Sequence, residues 1–452
     1  MFNRQLIEQL EDWKHESNRK PLILRGARQV GKTTAVNTFG RRFPQYMYFN
    51  LEVGPDKNLF SENTDIHKLV QTLFLEKNQS FARRSETLIF IDEIQQFPEA
   101  INMLRYFYEL YPEIAVVAAG SVLETFFAEG LSYPVGRVEV MVVRPVGFPE
   151  FLGALGQDQV LEQLLQAPMY DFAHSTLLQL FHTYAIIGGM PEIVDEYART
   201  KDLTALSPIY ERLIAAYVDN VEKYATGHNS VQVIRHCIRA SFLEAGNRIK
   251  FQHFGRSNYN SREVGEALRT IEKTYLLSLL YPTTDAALPV RPDLKRSPRL
   301  HVLDTGMMNY FLGLRSEVLG TADLNSIYQG VIIEHLVGQE LLATQFNVFS
   351  RLDFWVREKV GSSAEVDYVY PFESQLIPIE VKSGKDGSLK SLHLFMDDAP
   401  HDMAIRFYAG ELRLTNVTTS SGKTYRLLSM PYYLASQLKE YLAWLKAGAA
   451  RR

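Results

Sequence analysis

Hydrophobic positions fall into short β-branched runs at residues 22–24, 46–49, 88–91, 114–118 and 138–143, separated by segments long enough for helices. That alternation predicts an α/β domain with a mostly parallel sheet. From about residue 149 to 226 the β runs vanish, and stretches such as 161–187 and 206–224 repeat apolar residues at helical spacing, so a helical segment is expected. Inside it, Gly188-Gly189-Met190-Pro191 breaks the period and predicts a helix end with a restart at the proline. A helix at 234–243, a second at 260–275 and strands at 276–281 and 300–303 follow, with Pro289, Pro292 and Pro298 marking turns between them. The last part, from about 329 to 445, opens on a helical pattern, continues with strands around 354–356, 366–370 and 376–382, and closes on an amphipathic helix. The expected divisions are residues 1–150, 151–230, 231–310 and 325–452.

Composition acts mainly by exclusion. The chain has 452 residues, 46% hydrophobic and 22% charged, which describes a globular protein able to bury a core. A single cysteine, Cys237, forms no intramolecular disulfide and supplies no cysteine zinc cluster, making a reducing cytoplasm the expected compartment. The opening residues lack the apolar block of a signal peptide, and no run of about 18 apolar residues occurs. No membrane insertion is expected. The net charge is −4, yet residues 231–300 carry 12 lysines and arginines against 6 acidic residues, so the basic charge is local.

Gly26-Ala27-Arg28-Gln29-Val30-Gly31-Lys32-Thr33 matches G-x-x-x-x-G-K-[ST] between an apolar strand and a segment able to form a helix. The glycines let the backbone curl until successive N–H groups and a helix N-terminus face one anion. Gly26, Ala27, Arg28, Gln29, Val30, Gly31, Lys32, Thr33 and Thr34 are therefore the candidate ATP-binding residues, Lys32 reaching the β and γ phosphates and the Thr33 hydroxyl ligating Mg2+. The apolar strand Leu88-Ile89-Phe90-Ile91 ends at Asp92-Glu93, where ligands bind in open α/β sheets. Asp92 is expected to hold the magnesium and Glu93 to act as general base on the attacking water. Ser121, after the 114–118 strand, is placed to sense the γ phosphate or to sit in a plain turn. Arg137 and Arg144 are candidates for an arginine finger acting on a neighbouring subunit, which leaves room for a homo-oligomer.

These motifs, taken in order with Arg25, Ile91, Ala119-Gly120-Ser121, Pro134-Val135-Gly136-Arg137 and Gly188-Gly189-Met190-Pro191, resemble a prokaryotic family of AAA-type ATPases of largely uncharacterised function. The resemblance spans nearly the whole chain. It implies a fold class of α/β type: a P-loop NTPase with an AAA-type parallel sheet, a helical and winged-helix-like segment, and a C-terminal domain similar to the PD-(D/E)XK nuclease superfamily.

In the basic segment, Asn260-Ser261-Arg262-Glu263 has the form of a capped helix start. Val264, Leu268, Ile271 and Tyr275 take the core spacing, while Arg262, Glu266, Arg269 and Lys273 fall on one outward face. The order of elements looks like a winged helix, whose second helix would lie against nucleic acid, although this fold also serves protein contacts.

Further on, Ile377, Ile379 and Val381 share one strand face and Glu380 and Lys382 the other. Asp367 projects from the preceding strand, Glu365 shares its face, and Glu334 lies in a helical pattern beside His335, which reads as a packed or solvated neighbour. D…E-x-K with an upstream glutamate is what a PD-(D/E)XK site needs: Asp367 and Glu380 for Mg2+, Lys382 for the hydroxide or phosphate. By resemblance Glu334, Asp367, Glu380 and Lys382 fill all four family positions. Pro378 argues for an edge position or for a strand shorter than 376–382. Two functional readings follow: an ATPase that couples turnover to nucleic-acid processing, and a nucleotide-operated signalling switch whose C-terminal domain is an inactive docking surface.

Overall fold

Residues 3–63, 65–121, 134, 136–219, 228–313, 331–359, 362–382 and 389–449 are described by a computed structural model. Five strands, Leu22–Arg25 (β1), Gln45–Asn50 (β2), Thr87–Asp92 (β3), Ala115–Ala119 (β4) and Glu139–Val142 (β5), form a parallel sheet in the order β2-β3-β4-β1-β5. The central strands β1, β3 and β4 are covered on both faces and read as continuous apolar runs, whereas β2 at the edge alternates between buried and half-buried positions. Leu22, Leu24, Leu88, Phe90, Val117 and Ala119 face one core, and Ile23, Met47, Phe49, Ile89, Ile91 and Val116 the other. The order puts β1 between β4 and β5, with β3 beyond β4, and their C-terminal ends open on one edge.

Residues 151–230 are helical as far as they are described. The stretch expected as one helical run over 161–187 is two helices, Asp158–Leu165 and His174–Ile187. Pro168 lies in the gap, where it lacks the N–H that a continuous helix needs. Helix His174–Ile187 ends on Gly188 (φ 68°), and Pro191–Thr200 restarts at the proline. The run expected over 206–224 is helix Ser207–Asp219, and its remainder lies outside the described residues.

Helices His228–Leu243 and Ser261–Glu272 pack together beside an antiparallel ribbon of Leu277–Leu280 (β6) and Arg299–Val302 (β8). Between them Pro282–Thr283 (β7) leaves the segment and joins a larger sheet as an edge strand. That sheet, order β13-β14-β12-β11-β10-β9-β7, contains Asp353–Lys359 (β9), Ser362–Phe372 (β10), Gln375–Val381 (β11), Met403–Tyr408 (β12), Arg413–Thr418 (β13) and Thr424–Pro431 (β14). The middle segment and the C-terminal sheet are therefore interlocked.

Pro378 does not mark an edge, because β11 is interior. Its parallel pairing to β12 begins only at Ile379, so the proline sits where its strand has a neighbour on the β10 side alone. Ile377, Ile379 and Val381 face the main core, which runs unbroken from the first sheet through the helices to the second. Among the described residues no helix is long and apolar enough to cross a membrane.

Candidate functional site

β1 runs into the glycine loop, and the loop into helix Lys32–Gly40. Gly26 (φ 139°) passes so close to the neighbouring backbone that a Cβ would meet the Val143 carbonyl oxygen at 2.2 Å, and Gly31 caps the helix in the left-handed region (φ 91°). A side chain at either position would be strained. The loop and the ends of β3 and β4 open into a cavity of about 820 Å3, large enough for a nucleotide. Arg28, Gln29, Gly31, Lys32, Thr33, Thr34, Glu93 and Ser121 line it. Gly26, Ala27 and Val30 do not. The side chains of Ala27 and Val30 turn into the core, so these positions offer only backbone.

The Lys32 ammonium donates to the carbonyls of Gly26 at 2.9 Å and Ala27 at 2.8 Å. Burial lowers its pKa to about 8 although the charges of Glu93 and Asp92 pull the other way. Thr33 Oγ1 donates to Asp92 Oδ2 at 2.8 Å, and the Tyr48 hydroxyl approaches the same oxygen at 3.3 Å. Burial raises the Asp92 pKa against these hydrogen bonds. A hydroxyl beside a buried carboxylate is a donor set that fits a hard divalent cation. Glu93 sits in the left-handed region (φ 51°) and accepts from the Gln95 amide. Ser121 lines the cavity and is buried, and its Oγ has no hydrogen-bond partner among the described residues.

Among residues outside the motif, Arg4 and Pro191 line the cavity, and Tyr217 holds the loop from outside that lining. Arg4 donates to the Val30 carbonyl at 3.1 Å and to Glu150 at 2.9 Å, and the Tyr217 hydroxyl donates to the Arg28 carbonyl at 2.8 Å. Pro191, from the Gly-Gly-Met-Pro segment, forms part of the wall. The two candidate arginine fingers part company. Arg137 is exposed and ion-paired with Glu109 at 3.2 Å. Arg144 is turned inward: its guanidinium donates to the carbonyls of Gln345 and Ser350, both at 3.3 Å, and burial lowers its pKa to about 10. Its guanidinium braces the C-terminal domain. Val135 lies outside the described residues.

The second cluster lies in the C-terminal domain. Glu334, from helix Val331–Ala343, Asp367 from β10, Glu380 from β11 and Lys382 just past it converge. An unforeseen residue dominates the site. Arg299, buried on β8, forms ion pairs with Glu334 and Glu365 and donates to the Asp367 carbonyl at 2.9 Å. Burial alone would lower its pKa, but the three carboxylates outweigh that and hold it above the usual guanidinium value. Lys382 is ion-paired with Glu380, and the Val381 N–H donates to Asp367 Oδ2 at 2.7 Å. Burial and mutual repulsion push Glu334 and Glu380 each up to about 8 and raise Asp367 as well. Among the described residues no three carboxylate, histidine or cysteine side chains are placed to hold one metal ion. With Arg299 seated, the cluster does not fit the Mg2+ that the D…E-x-K pattern implies. His335 is packed, stacked on His301 at 3.9 Å, with its Nε2 accepting from the Val302 N–H at 3.0 Å.

In the basic segment the Asn260 cap forms as the spacing implies, with side-chain bonds from the Arg262 and Glu263 N–H groups at 3.0 Å. Much of the positive charge is consumed within the chain. Arg262 pairs with Glu266, Arg291 with Asp285, Arg248 and Arg296 with Glu358, and Arg299 with the carboxylate cluster.

Three segments match known families: residues 18–152 an "AAA domain", residues 178–318 a domain of unknown function (DUF8612) and residues 329–431 another (DUF4143). No curated protein matches the chain. Among solved structures the chain is similar to DNA-bound Drosophila ORC (16% identity, 68% of this chain and 94% of that one, TM-score 0.29). It is also similar to the Aeropyrum pernix ORC1 protein in complex with DNA (12% identity, 69% and 91%, TM-score 0.28). The Pif1 helicase of Candida albicans matches at 13% identity over 39% of this chain (TM-score 0.22), and the chain spans about half of that helicase, 46%. With the glycine loop, the acidic strand end and the family match in one place, the protein carries an AAA-type P-loop ATPase domain over residues 18–152.

Proposed function

We propose that the protein is a magnesium-dependent ATPase whose nucleotide state governs a C-terminal domain acting on nucleic acid. The observation that carries this reading is the 820 Å3 cavity lined by Lys32, Thr33 and Glu93, with the buried Asp92 hydrogen-bonded to Thr33 behind the wall. In it the triphosphate oxygens replace the Gly26 and Ala27 carbonyls as partners of the Lys32 ammonium, a stronger bond because it is charge-assisted. Thr33 and Asp92 would hold the magnesium, which would supply positive charge to the phosphates. Glu93, steadied by Gln95, takes the proton of the attacking water. Ser121 donates its unpartnered hydroxyl to the terminal phosphate.

The C-terminal sheet gathers Glu334, Asp367, Glu380 and Lys382 at one place, which supports a nuclease-like effector that would take Mg2+ only with Arg299 displaced, and the exposed Arg262 and Arg269 on a helix packed on its other side support contact with phosphates. The test is ATP turnover with and without a panel of DNA and RNA, followed on the same samples by a gel for cleavage. Stimulation by nucleic acid is the expected result; neither stimulation nor salt-sensitive binding to any strand contradicts the reading. A second reading, a nucleotide-operated switch with a docking C-terminal domain, is favoured by one observation: the carboxylate cluster and much of the basic segment are already neutralised within the chain. Nucleotide-dependent oligomerisation without nucleic-acid binding would select it.

A further inference from the structure

Arg299 and the Gly188-Gly189 pair are linked through one short piece of chain. Five residues past Arg299, the buried Asp304 accepts the Gly189 N–H at 2.6 Å and caps helix Thr305–Leu312 by accepting the Met307 N–H at 2.9 Å. The Gly189 carbonyl accepts the Val146 N–H at 2.7 Å. Neither glycine has room for a side chain: a Cβ on Gly188 would strike the Asp304 carboxylate at 2.4 Å, and one on Gly189 the Val146 carbonyl oxygen at 2.1 Å. Two residues later Pro191 lines the nucleotide cavity, and a methyl group at Gly31 of the phosphate loop would meet Pro191 Cγ at 3.5 Å. A run of close contacts therefore leads from the loop through Pro191, Gly189 and Asp304 to β8, and β8 delivers Arg299 into the carboxylates.

At that end the guanidinium sits where a cation is wanted. It joins Glu334 to Glu365, bonds the Asp367 carbonyl and lies over the Phe354 ring at 4.5 Å. Glu380 Oε2 is buried with no hydrogen-bond partner among the described residues, so the cluster still has acceptor capacity that Arg299 and Lys382 leave unused. The guanidinium takes the Glu334 and Glu365 carboxylates directly and its charge also reaches Asp367 and Glu380, so a free divalent ion brought to that pair meets a fixed like charge, and burial makes the repulsion strong.

We propose that Arg299 is an internal counter-ion that shuts the carboxylate cluster against divalent cations, and that the Gly189–Asp304 link lets the nucleotide pocket set its seat. The second half rests on the ATPase reading above; the first half does not.

The test is manganese titration of the nucleotide-free full chain, with free Mn2+ followed by electron paramagnetic resonance. Arg299→Gln should gain a site about ten-fold tighter than any in the wild type, and adding Glu380→Gln should remove it. A folded Arg299→Gln chain with wild-type manganese binding overturns the proposal. So does a wild-type chain whose manganese site vanishes on Glu380→Gln alone. If Arg299→Gln does not fold, Arg299→Lys, which keeps charge but loses the forked geometry, should show a smaller gain, and no gain there also overturns it. For the link, hydrogen exchange at residues 299–303 should quicken when adenylyl imidodiphosphate binds. Binding heat without any change at 299–303 overturns the link. Absence of binding heat would instead sink the ATPase reading, while the manganese titration still judges Arg299.

Discussion

At Thr33 and Asp92 a hydroxyl on the wall of an open cavity meets a buried carboxylate behind it, whereas at Glu380 and Lys382 a carboxylate meets an ammonium beneath packed strands, with Arg299 laid across its neighbours. Both sites use a lysine and acidic groups at strand ends. Burial acts on each in the direction that removes charge, lowering Lys32 to about 8 and raising Glu380 to about 8. What separates them is whether a partner is already present. The lysine of the first site borrows loop carbonyls that a phosphate can displace; the carboxylates of the second are bound to a cation that belongs to the chain. Substitutions in the open site should therefore cost activity and spare stability, and those around the closed one should do the reverse.

Glu93→Gln gives the largest effect on the open side: nucleotide binding persists while turnover falls by roughly 10²–10⁴-fold in a steady-state assay, with thermal stability unchanged. Wild-type turnover would remove Glu93 from the mechanism. Away from both sites, on the same helix as Glu334, the sharpest case for stability is the buried Glu340, which accepts the Phe148 N–H at 3.1 and 3.0 Å and the Tyr184 hydroxyl at 2.7 Å and so ties three parts of the chain together. Glu340→Ala strands the buried Phe148 N–H, while the Tyr184 hydroxyl keeps the Val146 carbonyl at 2.7 Å, and should lower stability by about 1–3 kcal/mol in urea unfolding. A loss below about 1 kcal/mol would show that the junction is looser than the hydrogen bonds imply.

Glu340 also gives stability a pH dependence. Burial is the main cause of its rise from 4.5 to about 7, so across that interval the folded chain holds a proton that the unfolded chain releases. Its contribution is complete below 4.5 and is lost as pH rises through about 7. Glu340→Gln should flatten that part of the stability–pH curve; an unchanged curve would assign the slope to another group. The smallest effect belongs to Asn260→Ala, which deletes a helix cap at a cost of about 1 kcal/mol and leaves ATP turnover alone.

The glycine loop, the acidic end of β3 and the Asn260 cap were legible because each is a local pattern whose residues lie within a few positions of one another. Arg299 was not. It stands 35 residues before Glu334 and 66 before Glu365, and nothing in Arg299-Leu300-His301-Val302 distinguishes it from a surface arginine at the end of a basic segment. The same holds for Tyr217, which reaches the Arg28 carbonyl across 189 residues, and for β7, two residues of apparent turn that complete a distant sheet. Pro378 misled for a different reason: a strand can be interior to its sheet and still have one residue with a neighbour on a single side. Pro168, by contrast, carried a readable signal of a helix break that the apolar spacing of 161–187 obscured. Arg144 shows the limit for charged side chains, since its bonds to Gln345 and Ser350 depend on a docking that no local pattern records.

The central claim is that residues 18–152 bind a nucleoside triphosphate through the glycine loop and Lys32. Titration calorimetry with ATP and Mg2+ on the full chain tests it most directly. Saturable heat in the wild type that disappears with Lys32→Ala is the predicted result; no heat in the wild type, or equal heat in both, contradicts the account.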